Sequence, residues 1–297
     1  MKSTLQRGAG ALIAEIDLSV DVSLTDIEHL QGLYRERHLL VFRDQTLSPG
    51  RQIEVTGWFG QVRTSADKTV GYVSNVRPDG IVPEGPLPFH SDMSFTKHPL
   101  RGISLYAMEV PSTGGSTRFA DALAAVTRLP KTVREALSDR TVLNIGGYGA
   151  NFTGRRKERE CDPLEPRAEH PAIDVHVETG RPVLRVNGLS TSHIVGLSEV
   201  ESDRLLDHVL RCLYGEANVY EHHWQVGDYL VFDNIAVHHA RGDFDSGEPR
   251  TLRRVVLADD EKFEPDAQLL ALYRQASLAQ HEEPPFPGRL PVGNYVL

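Results

Sequence analysis

The sequence predicts a mainly β fold with flanking helices, arranged as a sandwich or jelly roll. Short runs rich in β-branched and aromatic residues recur along the chain. Turn residues such as Gly114-Gly115, Glu178-Thr179-Gly180 and Gly227-Asp228 separate them. The runs do not alternate regularly with helical segments, as a doubly wound sheet would require. With 297 residues, 40% of them hydrophobic, the chain can bury a large core, and all-β units often run this long. One domain over residues 1–297 is therefore expected.

Ser23 precedes a first helix in which Thr25 and Glu28 have capping-box spacing and Ile27, Leu30 and Tyr34 share a face. Residues 39–42, Leu-Leu-Val-Phe, read as a buried strand. Ser48-Pro49 is a cap followed by proline at the first helical position, and this second helix stops by Gly60. A strand at 103–110 leads to a pair of short helices at 122–129 and 131–138. Strands follow at 141–145, 173–177 and 183–186. Ser198 and Glu201 box a fourth helix whose apolar face is Leu205, Leu206, Val209, Leu210 and Leu213, ended by Gly215. Strands at 229–232 and 253–257 complete the reading. Residues 146–170 combine several glycines with the charged run Arg155-Arg156-Lys157-Glu158-Arg159-Glu160, and read as a long loop, either a solvated insertion or a lid over a site. Residues 282–297, with Pro284, Pro285, Pro287 and Pro291, read as an irregular tail.

The formal net charge of −9 argues against nucleic acid or an anionic membrane as the main partner. Cys161 and Cys212 do not make a disulfide framework. The first ten residues hold no long apolar stretch, so neither a signal peptide nor a membrane anchor is expected, and a cytoplasmic, reducing location follows.

Three motifs carry chemistry. In His90-Ser91-Asp92, residues two apart on a strand share a face, so an imidazole and a carboxylate can grip one metal ion. Alone, such a triplet also arises by chance. Residues 224–241 place a strand before a tight polar corner at Asp233-Asn234 and then a stretch with His238 and His239. Neighbours on a strand point to opposite sides, so one of these histidines is a ligand and the other packs or supports. Third, Arg250 and Arg254 share a strand face with Arg253 opposite. Paired inward guanidinium groups imply a dianionic or doubly anchored ligand, because a buried charge needs a partner. Two histidines and a carboxylate with open coordination positions form the facial triad of non-haem ferrous oxygenases, and an inward arginine supplies an anchor for a dicarboxylate.

On these residues the chain resembles the taurine dioxygenase family, which includes the 2,4-dichlorophenoxyacetate dioxygenases. The resemblance runs from about residue 8 to residue 260. It is carried by Leu40-Val41-Phe42-Arg43-Asp44-Gln45, Phe89-His90-Ser91-Asp92-Met93-Ser94-Phe95, Pro111 to Ala120, His170-Pro171, Glu178-Thr179-Gly180-Arg181, and Trp224, Gly227-Asp228, Asp233-Asn234 and His239. It implies a double-stranded β-helix (a cupin-like jelly roll) with Fe(II) held by His90, Asp92 and His239, the histidine five positions after Asn234. It also implies that Arg250, assisted by Thr117, anchors the distal carboxylate of 2-oxoglutarate. Arg254 matches a position that meets an anionic substrate group or the other end of the co-substrate. The expected activity is hydroxylation of an unactivated C–H of a small anionic or amino-acid-like substrate, consuming O2 and 2-oxoglutarate and releasing succinate and CO2. Dimers and tetramers are common in the family, so a homo-dimer or homo-tetramer is the expected assembly. The chain departs from common family patterns at Ile235, His238 and the charged loop after Tyr148. Two other classes fit the same triad: a zinc-type hydrolase or isomerase, and a non-catalytic binding protein.

Overall fold

The computed structural model describes residues 2–6, 8–63, 69–81, 85–146 and 154–259; the expected tail at 282–297 and the glycine-rich 147–153 lie outside them. In chain order the strands are β1 (Lys2–Leu5), β2 (Ala11–Ala14), β3 (Leu39–Phe42), β4 (Gly71–Ser74), β5 (Gly80–Ile81) and β6 (Leu87–His90). Then come β7 (Gly102–Glu109), β8 (Thr117–Asp121), β9 (Thr141–Ile145), β10 (Arg167–Pro171), β11 (Ile173–Val175) and β12 (Pro182–Leu184). The last are β13 (Thr191–Ile194), β14 (Val219–His222), β15 (Tyr229–Asp233), β16 (Val237–Arg241) and β17 (Thr251–Leu257). The helices are α1 (Leu24–Arg37), α2 (Pro49–Gly57), α3 (Ala122–Arg128), α4 (Lys131–Leu137) and α5 (Glu199–Leu213).

Among the described residues, one sheet has the order β1-β2-β3-β15-β7-β17-β4-β5 and a second the order β14-β8-β16-β6. They face each other as a jelly roll: Phe119 of the small sheet meets Phe232 of the large one edge to face, with ring centroids 5.2 Å apart. Both rings are fully buried, each worth about 2–3 kcal/mol in area removed from water. β3 and β15 read as unbroken apolar runs because both of their faces are covered. Leu39, Val41, Leu230 and Phe232 enter the core between the sheets. Leu40, Phe42, Tyr229 and Val231 enter a second core closed by Leu30 and Tyr34 of α1 and Val55 of α2.

Several expectations need correction. At α1 the capping pair is Ser23 with Asp26, whose N–H donates to Ser23 Oγ and whose carboxylate accepts from it; Thr25 and Glu28 fall inside the helix. The 146–170 segment is not loop throughout. Its end forms β10, which pairs with β9 from Arg167↔Ile145 to Pro171↔Thr141. Nor is its charged run free in solvent: Arg155 and Lys157 reach Asp203, and Arg159 reaches Glu199, both on α5, while Arg156 bonds Glu165. A polar strand whose partner supplies its hydrogen bonds and a charged run with matching acids on a helix both look like loop in sequence.

Candidate active site

β6 and β16 are antiparallel neighbours, with His90 directly opposite His239. Cross-strand partners share a face, and the two imidazoles lie 4.2 Å apart between centroids. Asp92 joins them by another route. The strand ends at His90, and Asp92 lies in the following turn, beside Met93 with φ of 60°. Strand alternation therefore does not aim its carboxylate; Asn234 does. Asn234 Oδ1 accepts the Asp92 N–H at 2.8 Å, and Asn234 Nδ2 donates to the carbonyls of Asp92 and Leu100 at 2.9 and 2.8 Å. Ser91 Oγ adds a bond to the Asn234 carbonyl at 2.7 Å. Asn234 is held in turn, because Asp233 Oδ1 accepts the N–H groups of Ile235 and Ala236, and Asp233 Oδ2 meets His176 Nε2 at 3.0 Å.

The result is three ligand atoms, one each from His90, Asp92 and His239, all within 4.8 Å of one another. His90 Nδ1 lies 2.7 Å from the Pro88 carbonyl, and its Nε2 lies 3.2 Å from Asp92 Oδ1. Burial pushes the His239 imidazole down to about 3, so it is neutral at pH 7. Burial would raise the Asp92 carboxyl, but His90, Arg254 and His239 outweigh it and hold it far below the usual carboxylate range. Two imidazole nitrogens and a carboxylate oxygen thus converge on one place. Their types suit a divalent metal with open coordination positions, so the donor set fits the ferrous ion that the sequence implies.

His238 is turned the other way: its Nδ1 meets Tyr214 OH at 3.1 Å, and burial lowers it to about 3. His170, likewise held neutral by burial at about 4, faces the carbonyls of Ser94 and Thr96 with Nε2 and so steadies the turn after Asp92.

The donors open into a cavity of about 120 Å³ between the two sheets. Val73, Leu87, Ile103, Leu105, Phe232 and Leu252 make its apolar wall, and Thr117, Arg241, Arg250 and Arg254 its polar part. Arg250 and Arg254 do share a face of the β17 segment, with Leu252 between them, while Arg253 points away to Gln52 Oε1 and the Leu47 carbonyl. Arg254 Nη2 donates to Asp92 Oδ2 at 2.6 Å. It thereby occupies the oxygen that faces away from the histidines. Arg250 is 2% exposed, and its guanidinium donates to the Gly115 carbonyl, at 3.2 Å from Nε and 3.1 Å from Nη2. Among the described residues no carboxylate pairs with it, and burial, together with nearby Arg241, lowers it to about 9. Gly115 makes room: with φ of +62°, a Cβ there would lie 3.1 Å from Arg250 Nε. Thr117 stands opposite Arg241 in the β8–β16 register, and its Oγ1 accepts the indole N–H of Trp224 at 2.9 Å.

Sequence reasoning did not single out Asn234, Arg241 or Trp224 as site residues. Arg241 was within reach, since it lies two positions after His239 on the same strand face. It is buried, donates from Nε to the Gly85 carbonyl at 2.9 Å, and is lowered by burial to about 10.

Comparison with known proteins agrees with this geometry. The chain is 29% identical over 273 residues to the alpha-ketoglutarate-dependent 2,4-dichlorophenoxyacetate dioxygenase of Cupriavidus pinatubonensis, covering 84% of this chain and 94% of that one. It is 27% identical to the alpha-ketoglutarate-dependent sulfate ester dioxygenase of Pseudomonas putida, covering 88% and 90%. A taurine dioxygenase structure from Burkholderia xenovorans superposes with a TM-score of 0.72 at 21% identity, covering 87% of this chain and 91% of that one, and so shares the fold. The profile of the Taurine catabolism dioxygenase TauD, TfdA family matches residues 3–256, and with that span the chain belongs to this family.

Proposed function

We propose that the protein is an Fe(II)- and 2-oxoglutarate-dependent dioxygenase that hydroxylates an unactivated C–H of a small anionic substrate. One observation carries the reading: two imidazoles and a carboxylate converge beside a buried guanidinium that, among the described residues, has no carboxylate partner. His90, Asp92 and His239 would hold the iron. When bound, the iron would supply the redox chemistry that couples conversion of 2-oxoglutarate and O2 to succinate and CO2 with oxidation of the substrate.

The remaining roles belong to the chain. Arg250 takes the distal carboxylate of 2-oxoglutarate, exchanging an unpaired buried charge for a paired one. Thr117 adds a hydrogen bond at the same end. Arg254 engages Asp92 Oδ2 and so leaves Oδ1 as the free carboxylate oxygen on the histidine side. It also places a cation where an anionic substrate group would dock. The apolar wall excludes water from the reacting centre. The two relatives named above are described as acting on a phenoxyacetate and on sulfate esters, and Arg254 beside an apolar wall suits an organic anion of that kind. No helix among the described residues is long and apolar enough to cross a membrane, and we place the enzyme in the cytoplasm, where Cys161 and Cys212 stay reduced.

Aerobic incubation with ferrous iron, 2-oxoglutarate and a panel of small carboxylates, sulfonates, sulfate esters and amino acids should release succinate in step with one of them. A protein that binds iron yet yields no succinate with any member, and none without substrate, would defeat the proposal.

A further inference from the structure

We propose that Trp224 is a positioning residue that fixes the Thr117 hydroxyl as a hydrogen-bond donor to the 2-oxoglutarate carboxylate. The inference rests on the reading above that this carboxylate lies at Arg250 and Thr117. A threonine hydroxyl carries one proton and two lone pairs. Trp224 Nε1 can only donate, so at 2.9 Å it takes a lone pair of Thr117 Oγ1. The hydroxyl proton is left over, and among the described residues no group accepts it. Thr117 is 4% exposed and lines the cavity, so the acceptor for that proton is the cavity's occupant. The occupant's atom beside Thr117 must therefore be an acceptor, as each oxygen of a carboxylate is and a protonated donor is not.

The indole is built to stay where it is. Trp224 is 9% exposed and follows β14, whose His222 lies opposite Thr117 in register. Its ring meets the His222 ring edge to face at 4.7 Å. Asp228 Oδ2 gathers the turn that carries it, accepting from Gln225 N at 2.8 Å, from His222 Nε2 at 2.9 Å and from Arg43. The Asp228 carboxylate thus holds both ends of the segment bearing Trp224 without touching the cavity. Freed from the indole, the hydroxyl could rotate and spend its proton elsewhere, and its bond to the co-substrate would weaken.

The test is a double-mutant cycle on Trp224→Phe and Thr117→Val, with Thr117→Ser as the conservative control. KM for 2-oxoglutarate would be measured by succinate release, and affinity by calorimetry on Mn(II)-loaded protein. Trp224→Phe should raise KM and Kd for 2-oxoglutarate about 3- to 10-fold while kcat stays within about twofold, the size of one neutral hydrogen bond. In the Thr117→Val background the same change should matter less than about twofold. Thr117→Ser should bind like the parent. An equal loss in both backgrounds, or no loss in the first, overturns the proposal. Should Trp224→Phe not fold, Thr117→Val against Thr117→Ser still decides: equal affinity for the two means that the hydroxyl donates nothing. If the parent protein itself fails to bind 2-oxoglutarate, the co-substrate assignment falls instead.

Discussion

Replacing Arg250 by methionine should move two quantities in opposite directions. In the ligand-free protein the guanidinium is buried against a carbonyl with no carboxylate among the described residues in reach, and its pKa falls from 12.5 to about 9. Each unit is about 1.4 kcal/mol, so holding this charge costs roughly 4–5 kcal/mol. The sign follows from a base whose folded pKa is lowered: the penalty is full below about pH 9 and fades as pH rises toward 12.5. Methionine removes the penalty but gives up the bonds to the Gly115 carbonyl, worth about 1.5–3 kcal/mol. The net gain of about 1–3 kcal/mol should raise the melting temperature without ligand by roughly 2–6 °C. Binding goes the other way. Losing the charge pair with the distal carboxylate should cost about 2–5 kcal/mol, weakening 2-oxoglutarate roughly 30-fold or more. Calorimetry on Mn(II)-loaded protein and thermal melts without ligand measure the two effects. An affinity within threefold of the parent would refute the anchor. A variant that melts lower than the parent would refute the reasoning about its unpaired charge.

Three further outcomes follow from the same geometry. His239→Ala should abolish tight metal binding in a titration, whereas His238→Ala, which loses the Tyr214 contact, should keep it and cost about 1–3 kcal/mol of stability; the reverse pattern would overturn the choice of ligand. His238 and His239 are neutral to about pH 3 and His170 to about pH 4, so folding must exclude protons that the unfolded chain takes up below about 6.5. Stability should therefore fall between pH 6.5 and 4 by up to about 1.4 kcal/mol per unit per histidine, and a urea midpoint unchanged between pH 7 and 5 would contradict this. Asp203→Asn removes the acid that Arg155 and Lys157 share and should speed amide exchange across 154–160 severalfold with little change in global stability; unchanged exchange would show that the ion pairs do not hold the segment.

What could be read in advance depended on whether a residue's role is set by its neighbours in sequence. β3 and β15 were legible because the unbroken apolar runs 39–42 and 229–232 mark strands covered on both sides. β8, β10, β13 and β14 were not: Arg-Ala-Glu-His-Pro has no strand pattern, and β9 supplies what makes it one. The triad residues were visible by type and spacing; alternation along a strand showed that only one of His238 and His239 could face the metal, and the family resemblance selected His239. The same rule misplaced Asp92, whose carboxylate is aimed by Asn234 from 142 positions away. The ion pair between Arg254 and Asp92 spans 162 positions and has no trace in local sequence.

The pairing of His90 with His239 across β6 and β16 also sets when the metal can enter. About 150 residues separate these strands, so their contact is among the costliest in loop entropy that the fold must close. During synthesis the first half of the chain supplies only two of the three triad ligands, His90 and Asp92. The complete ligand set therefore forms only once this long-range contact has closed. An ion held by all three ligands binds the closed fold and not the unfolded chain, so its affinity adds to the stability of that fold.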